Sequence, residues 1–174
     1  MKKYFDIIII NLLALAIGLI LYFYLGKSIE ILSMVVATGI SISFGIRQYK
    51  IENDKIFKEL FTGFNEKYDI KFNNILNEID RKTKNNDQYE LAIYEEMKID
   101  EPAIIIDYLN LCAEEYLWHK KGRISKVVWK SWEAGMVYYL NIKSINKYIL
   151  NEKGQKDSYY GLFNKIGNRI ENWN

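Results

Sequence analysis

Apolar residues fill the first part of the chain almost without interruption. Residues 4–25 and 29–46 form two runs, separated only by Gly26, Lys27 and Ser28. Apart from Glu30 at the entry to the second, neither run holds a lysine, arginine or glutamate. The first run, about 22 residues, is long enough as a helix to cross a hydrocarbon core of about 30 Å. The second, about 18 residues, is near the lower limit. A cleavable signal peptide has a shorter core and is not followed at once by a second apolar run. The pattern predicts a transmembrane helical hairpin.

Charge near the ends of the runs orients it. Lys2 and Lys3 precede the first run, and Arg47, Lys50, Lys55 and Lys58 follow the second, whereas the turn has Lys27 beside Glu30. The positive-inside rule places both termini in the cytoplasm and the Gly26 turn outside. Tyr22, Phe23 and Tyr24 then fall at the outer interface, with Tyr4 and Tyr49 at the inner one.

Small residues punctuate both runs. Ser33, Ala37, Ser41 and Gly45 recur every fourth position and form one stripe, while Gly39 and Ser43 lie about half a turn away. Asn11, Ala14 and Gly18 share a face of the first run. Small residues allow close helix approach, and an amide such as Asn11 in hydrocarbon demands a partner or a wet cavity. One stripe can seat the hairpin partner; the second needs another neighbour or water. The pattern predicts self-assembly, either by plain helix packing or around a narrow pore lined by serine, threonine and asparagine.

Helical periodicity continues after Arg47. Ile56, Phe57, Leu60, Phe61 and Phe64 keep it, and Tyr68, Phe72, Ile75, Leu76 and Ile79 extend it beyond a kink. Residues 47–80 read as a helical stalk continuous with the second span. The polar tract 81–88 marks the start of a cytoplasmic helical domain, 81–174. A short helix is expected at 89–97. The next is started by Asp100 as cap and Pro102 in the first turn, and is stopped by Gly122. Ser125 caps a helix that runs to about Leu140. Two more cover 143–151 and 158–173, separated by 152–157. The fold class is all-α: hairpin, stalk and helical bundle.

Composition removes several classes of function. The net charge of +2 is near neutral, so overall charge argues for no polyanion partner. A single cysteine excludes an internal disulfide, and one histidine with one cysteine argues against a zinc site. No metal or cofactor is expected. No glycine-rich phosphate loop, HExxH or CxxC occurs. Cys112 and His119 stand two helical turns apart, too far for a nucleophile and its base. Glu114 and Glu115 are adjacent and point apart, as do Glu95 and Glu96. No catalytic residue is expected, and the chain does not read as an enzyme.

One local concentration is a candidate binding site. Trp118, Lys120, Lys121, Arg123, Lys126, Trp129 and Lys130 surround a helix–turn–helix junction. Cations beside aromatic faces, at the N-terminus of a helix, suit single-stranded nucleic acid or a nucleotide. The same residues also fit a solvated basic turn over a tryptophan-rich core, or a surface drawn to anionic lipid.

The stretch YLNLCAEEYLWHKKGRISKVVWKSW, from Tyr108 to Trp132, resembles small bacterial two-span membrane effectors of phage-defence operons, the Hailong effectors above all. That resemblance implies residence in the bacterial inner membrane and a homo-oligomeric ion channel, with about four copies as the working number. It also implies a partner nucleotidyltransferase that makes short oligodeoxyadenylate, a single-stranded DNA ligand that holds the channel shut until infection removes it, and antiviral defence by membrane depolarisation. A different class of function also fits: a non-conducting, membrane-anchored module that binds a protein partner. Assembly in detergent separates the two readings.

Overall fold

The computed structural model describes residues 5–24, 26, 28–151 and 158–173. Lys2, Lys3, Tyr4, Leu25, Lys27 and the connection 152–157, all part of the expectations above, lie outside the described residues. The described chain is almost entirely helical, as its pattern requires. It divides into two compact units, Met1–Ile56 and Phe57–Asn174.

The first unit contains α1 (Phe5–Phe23) and the first part of α2 (Ile29–Lys67). Both helices are long and apolar enough to cross a membrane. They run antiparallel, and their contacts step along the pair from Gly18 on Leu32, through Ala14 on Gly39 and Asn11 on Ser43, to Asp6 on Lys50. At Gly39 the approach is so close that a Cβ would sit 2.4 Å from Ala14 Cβ. The outer surface is apolar: Leu12, Phe23, Met34 and Phe44 are each at least 60% exposed. So much apolar surface in water is unfavourable at about 25 cal/mol per Å2, so this unit calls for an apolar surrounding.

The second unit is built on one core. Phe64, Phe72, Leu76 and Ile79 enter it with Ile105, Leu109, Leu140, Ile145, Ile149, Leu162 and Ile166. From Phe57 on, the stretch 47–80 belongs to this unit. The kink expected between the Ile56–Phe64 pattern and its extension from Tyr68 takes a definite form. Gly63 sits inside α2, and the break is a π-helical turn at Tyr68–Phe72. That wider turn brings both Tyr68 and Phe72 against the Tyr108 ring, at 6.4 and 5.7 Å between centroids. Helix α3 (Asn73–Asn85) runs on into the tract expected as a loop.

One expected helix is absent and another is cut short. Residues 89–97 form β1 (Ile93–Tyr94) and a 3-10 turn, and β1 pairs antiparallel with β2 (Ile99–Asp100). The cause is tertiary: the buried Glu101 carboxylate takes a hydrogen bond from the Ala92 amide at 3.0 Å and so fixes this backbone outside a helix. Within residues 158–173 the α-helix is confined to α7 (Leu162–Ile166), followed by the turn Gly167–Arg169. Tyr160 and Gly161 just before α7 have φ of 53° and 81°, a left-handed pair that no α-helix tolerates.

The remaining boundaries obey their capping residues. Helix α4 (Glu101–Lys120) starts where the Asp100 carboxylate accepts from the Ala103 amide at 2.9 Å. It ends at Gly122, whose φ of +72° reverses the chain. Helix α5 (Lys126–Leu140) starts where Ser125 Oγ accepts from the Val128 amide at 3.4 Å. A short α6 (Lys143–Ile149) follows. Asn141 and Asn146 then tie the C-terminal segment down, bonding the Arg169 and Glu171 carbonyls respectively at 2.9 and 3.0 Å.

Candidate functional site

In the hairpin, α1 selects which small-residue stripe of α2 is used. Gly39 and Ser43 are buried against it, with Asn11, Ala14 and Gly18 on the facing side. Asn11 Nδ2 donates to Ser43 Oγ at 2.7 Å and to the Ile7 carbonyl at 2.8 Å, so both its protons are bound within the pair. The other stripe, Ser33, Ala37, Ser41 and Gly45, is exposed along its whole length. Its hydroxyls bond their own helix: Ser33 donates to the Glu30 carbonyl at 2.7 Å and Ser41 to the Ala37 carbonyl at 2.9 Å. Back-bonded hydroxyls of this kind sit in an apolar medium without an external partner. A small, smooth face remains, on which another helix can pack closely.

The basic turn divides into exposed and committed residues. Lys120, Lys121, Lys126 and Lys130 are exposed. Lys120 Nζ lies 3.5 Å from the Tyr160 carbonyl, and Lys121 Nζ rests 4.7 Å from the Trp118 ring centroid. Arg123 is half-buried and already engaged. Trp129 does not offer the stacking face expected of it. It is 3% exposed, with the His119 ring parallel at 4.9 Å and Tyr116 at 5.4 Å. His119 is held in turn by Nδ1 at 3.0 Å from the Ile124 carbonyl. Trp129 is thus part of the core beneath the turn, although its Nε1–H finds no acceptor there. The surviving surface is four lysines and Trp118 at the N-terminus of α5.

Two buried carboxylates lie on α4, and spacing did not single out either. Glu101 is fully partnered: Lys82 Nζ donates at 3.0 Å, the Tyr89 hydroxyl at 2.5 Å, and the Ala92 amide at 3.0 Å. Burial opposes the charge on Lys82, but its bonds to Tyr94 and Glu101 prevail and raise its pKa. Glu115 is the opposite case. It is 7% exposed and has neither a hydrogen bond nor an ion pair among the described residues. Burial first, and then the neighbouring Glu114, push its carboxyl up to about 8. Cys112 is buried too, and burial first, then Glu115, raise its thiol far enough to leave no thiolate at neutral pH.

Nothing in the spacing of Glu114 and Glu115 distinguished the two. Only the helical phase could: Glu115 falls four residues after Leu111 and three after Cys112, both core residues. Comparison with protein-family models, curated proteins and solved structures gives no match to this chain.

Proposed function

We propose that this protein is a self-assembling two-span membrane effector of the bacterial inner membrane, whose cytoplasmic helical domain binds a nucleic-acid or nucleotide signal that gates it. The observation that carries the reading is the exposed stripe Ser33, Ala37, Ser41 and Gly45, left over after α1 has taken the Gly39–Ser43 face. A plain tether has no need of a second close-packing face. The ligand class is supported by the four exposed lysines around the N-terminus of α5. The channel activity, the defence role and an oligodeoxyadenylate ligand rest on the resemblance of residues 107–132.

Cross-linking tests the assembly. Cys112 is buried, so an introduced thiol meets little background. Ala37→Cys is expected to cross-link between copies in membranes under mild oxidation. Ile42→Cys, exposed but well around the helix, is expected not to. Equal cross-linking of both, or of neither, removes the self-assembly reading and leaves the tethered module.

Ligand binding is tested separately with Lys126→Glu and Lys130→Glu together, exposed positions that the fold does not use. Affinity for a short single-stranded DNA is expected to drop, and its salt slope to flatten by about 0.7 for each phosphate no longer neutralised. Binding that is insensitive to both salt and these changes places the site elsewhere. Conductance in a planar bilayer, recorded with and without ligand, decides whether the assembly is a channel.

A further inference from the structure

The second unit contains a cavity of about 220 Å3 between α4, α5 and the π-helical turn. Glu115, Tyr68, Tyr108, Trp132, Met136 and Tyr139 line it. The hydroxyls of two of these tyrosines are already in use: Tyr68 donates to Tyr139 at 3.0 Å, and Tyr139 to Asn77 at 3.0 Å. The three tyrosine rings stand 6.1–6.4 Å apart, and Trp132 is stacked on Phe61 on one side. The cavity is thus an aromatic chamber with one unpartnered carboxylate in its wall. Aromatic rings and a carboxylate share one preference, for positive charge.

We propose that this cavity binds a small organic ammonium ion, with Glu115 as its counter-ion and the rings of Tyr68, Tyr108, Tyr139 and Trp132 as its cation–π walls. The volume matches roughly seven water molecules, which suits a short alkylammonium. An inorganic divalent ion needs several oxygen ligands, whereas Glu115 is the only carboxylate in the lining and no acidic or histidine cluster of metal-binding size occurs among the described residues. An anionic ligand would find no lysine or arginine in the lining to balance it.

Other groups around Glu115 do not supply the missing partner. Glu114 on the same helix is bridged outward to Lys67 at 3.5 Å. Tyr108 and Cys112 on α4, Tyr68 on the π turn and Tyr139 on α5 carry no positive charge. A bound cation favours the ionised carboxylate, so binding releases a proton from the neutral form. Affinity should fall about tenfold for each pH unit below the Glu115 titration near 8.

The test is calorimetry on the full chain in detergent with putrescine and choline as probes, and with 1,4-butanediol as an uncharged control. The expected result is saturable one-site binding of at least one cation. It should weaken as the pH is lowered from 8.5 to 6.5 and should release protons into the buffer. Glu115→Gln keeps the shape of the side chain and is expected to abolish binding. Gly135→Leu is a second variant, chosen because Gly135 lines the cavity and a Cβ there meets nothing within 4 Å; its melting temperature is measured alongside to show that the fold is retained. It is expected to fill the space and exclude the probe. No saturable binding of either cation, equal binding of the diol, or unchanged binding in Gly135→Leu overturns the proposal.

Discussion

Glu101 and Glu115 are both buried carboxylates on α4, yet they make opposite demands on the fold. Glu101 gathers Lys82, Tyr89 and the Ala92 amide around its two oxygens. Glu101→Gln would leave the half-buried Lys82 without its charge partner and break the bond that holds the strand pair. The loss expected is about 3 kcal/mol, the order measured when one partner of a buried pair is removed, and thermal or urea unfolding checks it. Glu115 has no partner to lose. Its folded carboxyl titrates near 8 against an ordinary 4.5, so its raised pKa favours the fold fully below 4.5, and that contribution fades as pH rises toward 8. Glu115→Gln is expected to flatten the decline in stability between pH 5 and pH 8, and to be more stable than the parent at pH 8. Urea midpoints across that range measure it. Neither role was legible from residue spacing. A carboxylate at the start of a helix reads as a dipole partner, and only the arrival of Tyr89 and Lys82 from other elements makes Glu101 a hub.

At the scale of elements, the two long apolar helices were the most legible part, because a long apolar run leaves few alternatives. Its packing was only half legible. Periodicity gave two small-residue stripes on α2 and could not say which one α1 would choose. The face taken is the one where Asn11 donates to Ser43 at 2.7 Å and Gly39 meets Ala14. Gly39→Ala is expected to separate the pair locally, since the new methyl would meet the Ala14 methyl, which cannot swing aside. Gly18→Ala should be milder, because its neighbour is the end of a flexible Leu32 side chain. Protease accessibility of the two variants in membranes compares them. Helix ends with a cap were also legible, as Asp100, Gly122 and Ser125 show. The segment 89–97 was not, because its backbone is fixed by Glu101 from outside the segment. The C-terminal helix was overestimated for a local reason, the left-handed pair Tyr160–Gly161.

For the whole molecule, the sequence pattern suggests a hairpin over 1–46, a stalk over 47–80 and a domain over 81–174, while the compact units of the chain are Met1–Ile56 and Phe57–Asn174. A continuous helical period cannot reveal where a helix stops being surrounded by lipid or water and begins to belong to a core. Phe64, Phe72, Leu76 and Ile79 make that transition without any break in pattern. The π-helical turn at Tyr68–Phe72 lies in this stretch and holds one residue more than an α-helical turn would. Deleting Ile70, which is 74% exposed, is expected to rewind the turn as α-helix. Phe61 and Phe64 would then be rotated by about 100° away from Trp132, with a lower melting temperature as the readout.

The surplus residue is a reserve of helical phase. Taking it up or giving it back moves the chain before it by about 1.5 Å and a little over a quarter turn, a change of pitch that needs no hinge. Tyr68 opens that turn and also lines the Glu115 cavity. The wall of the cavity is thus built partly from a stretch of the chain whose pitch departs from α-helical, so the shape of that cavity is tied to the surplus residue.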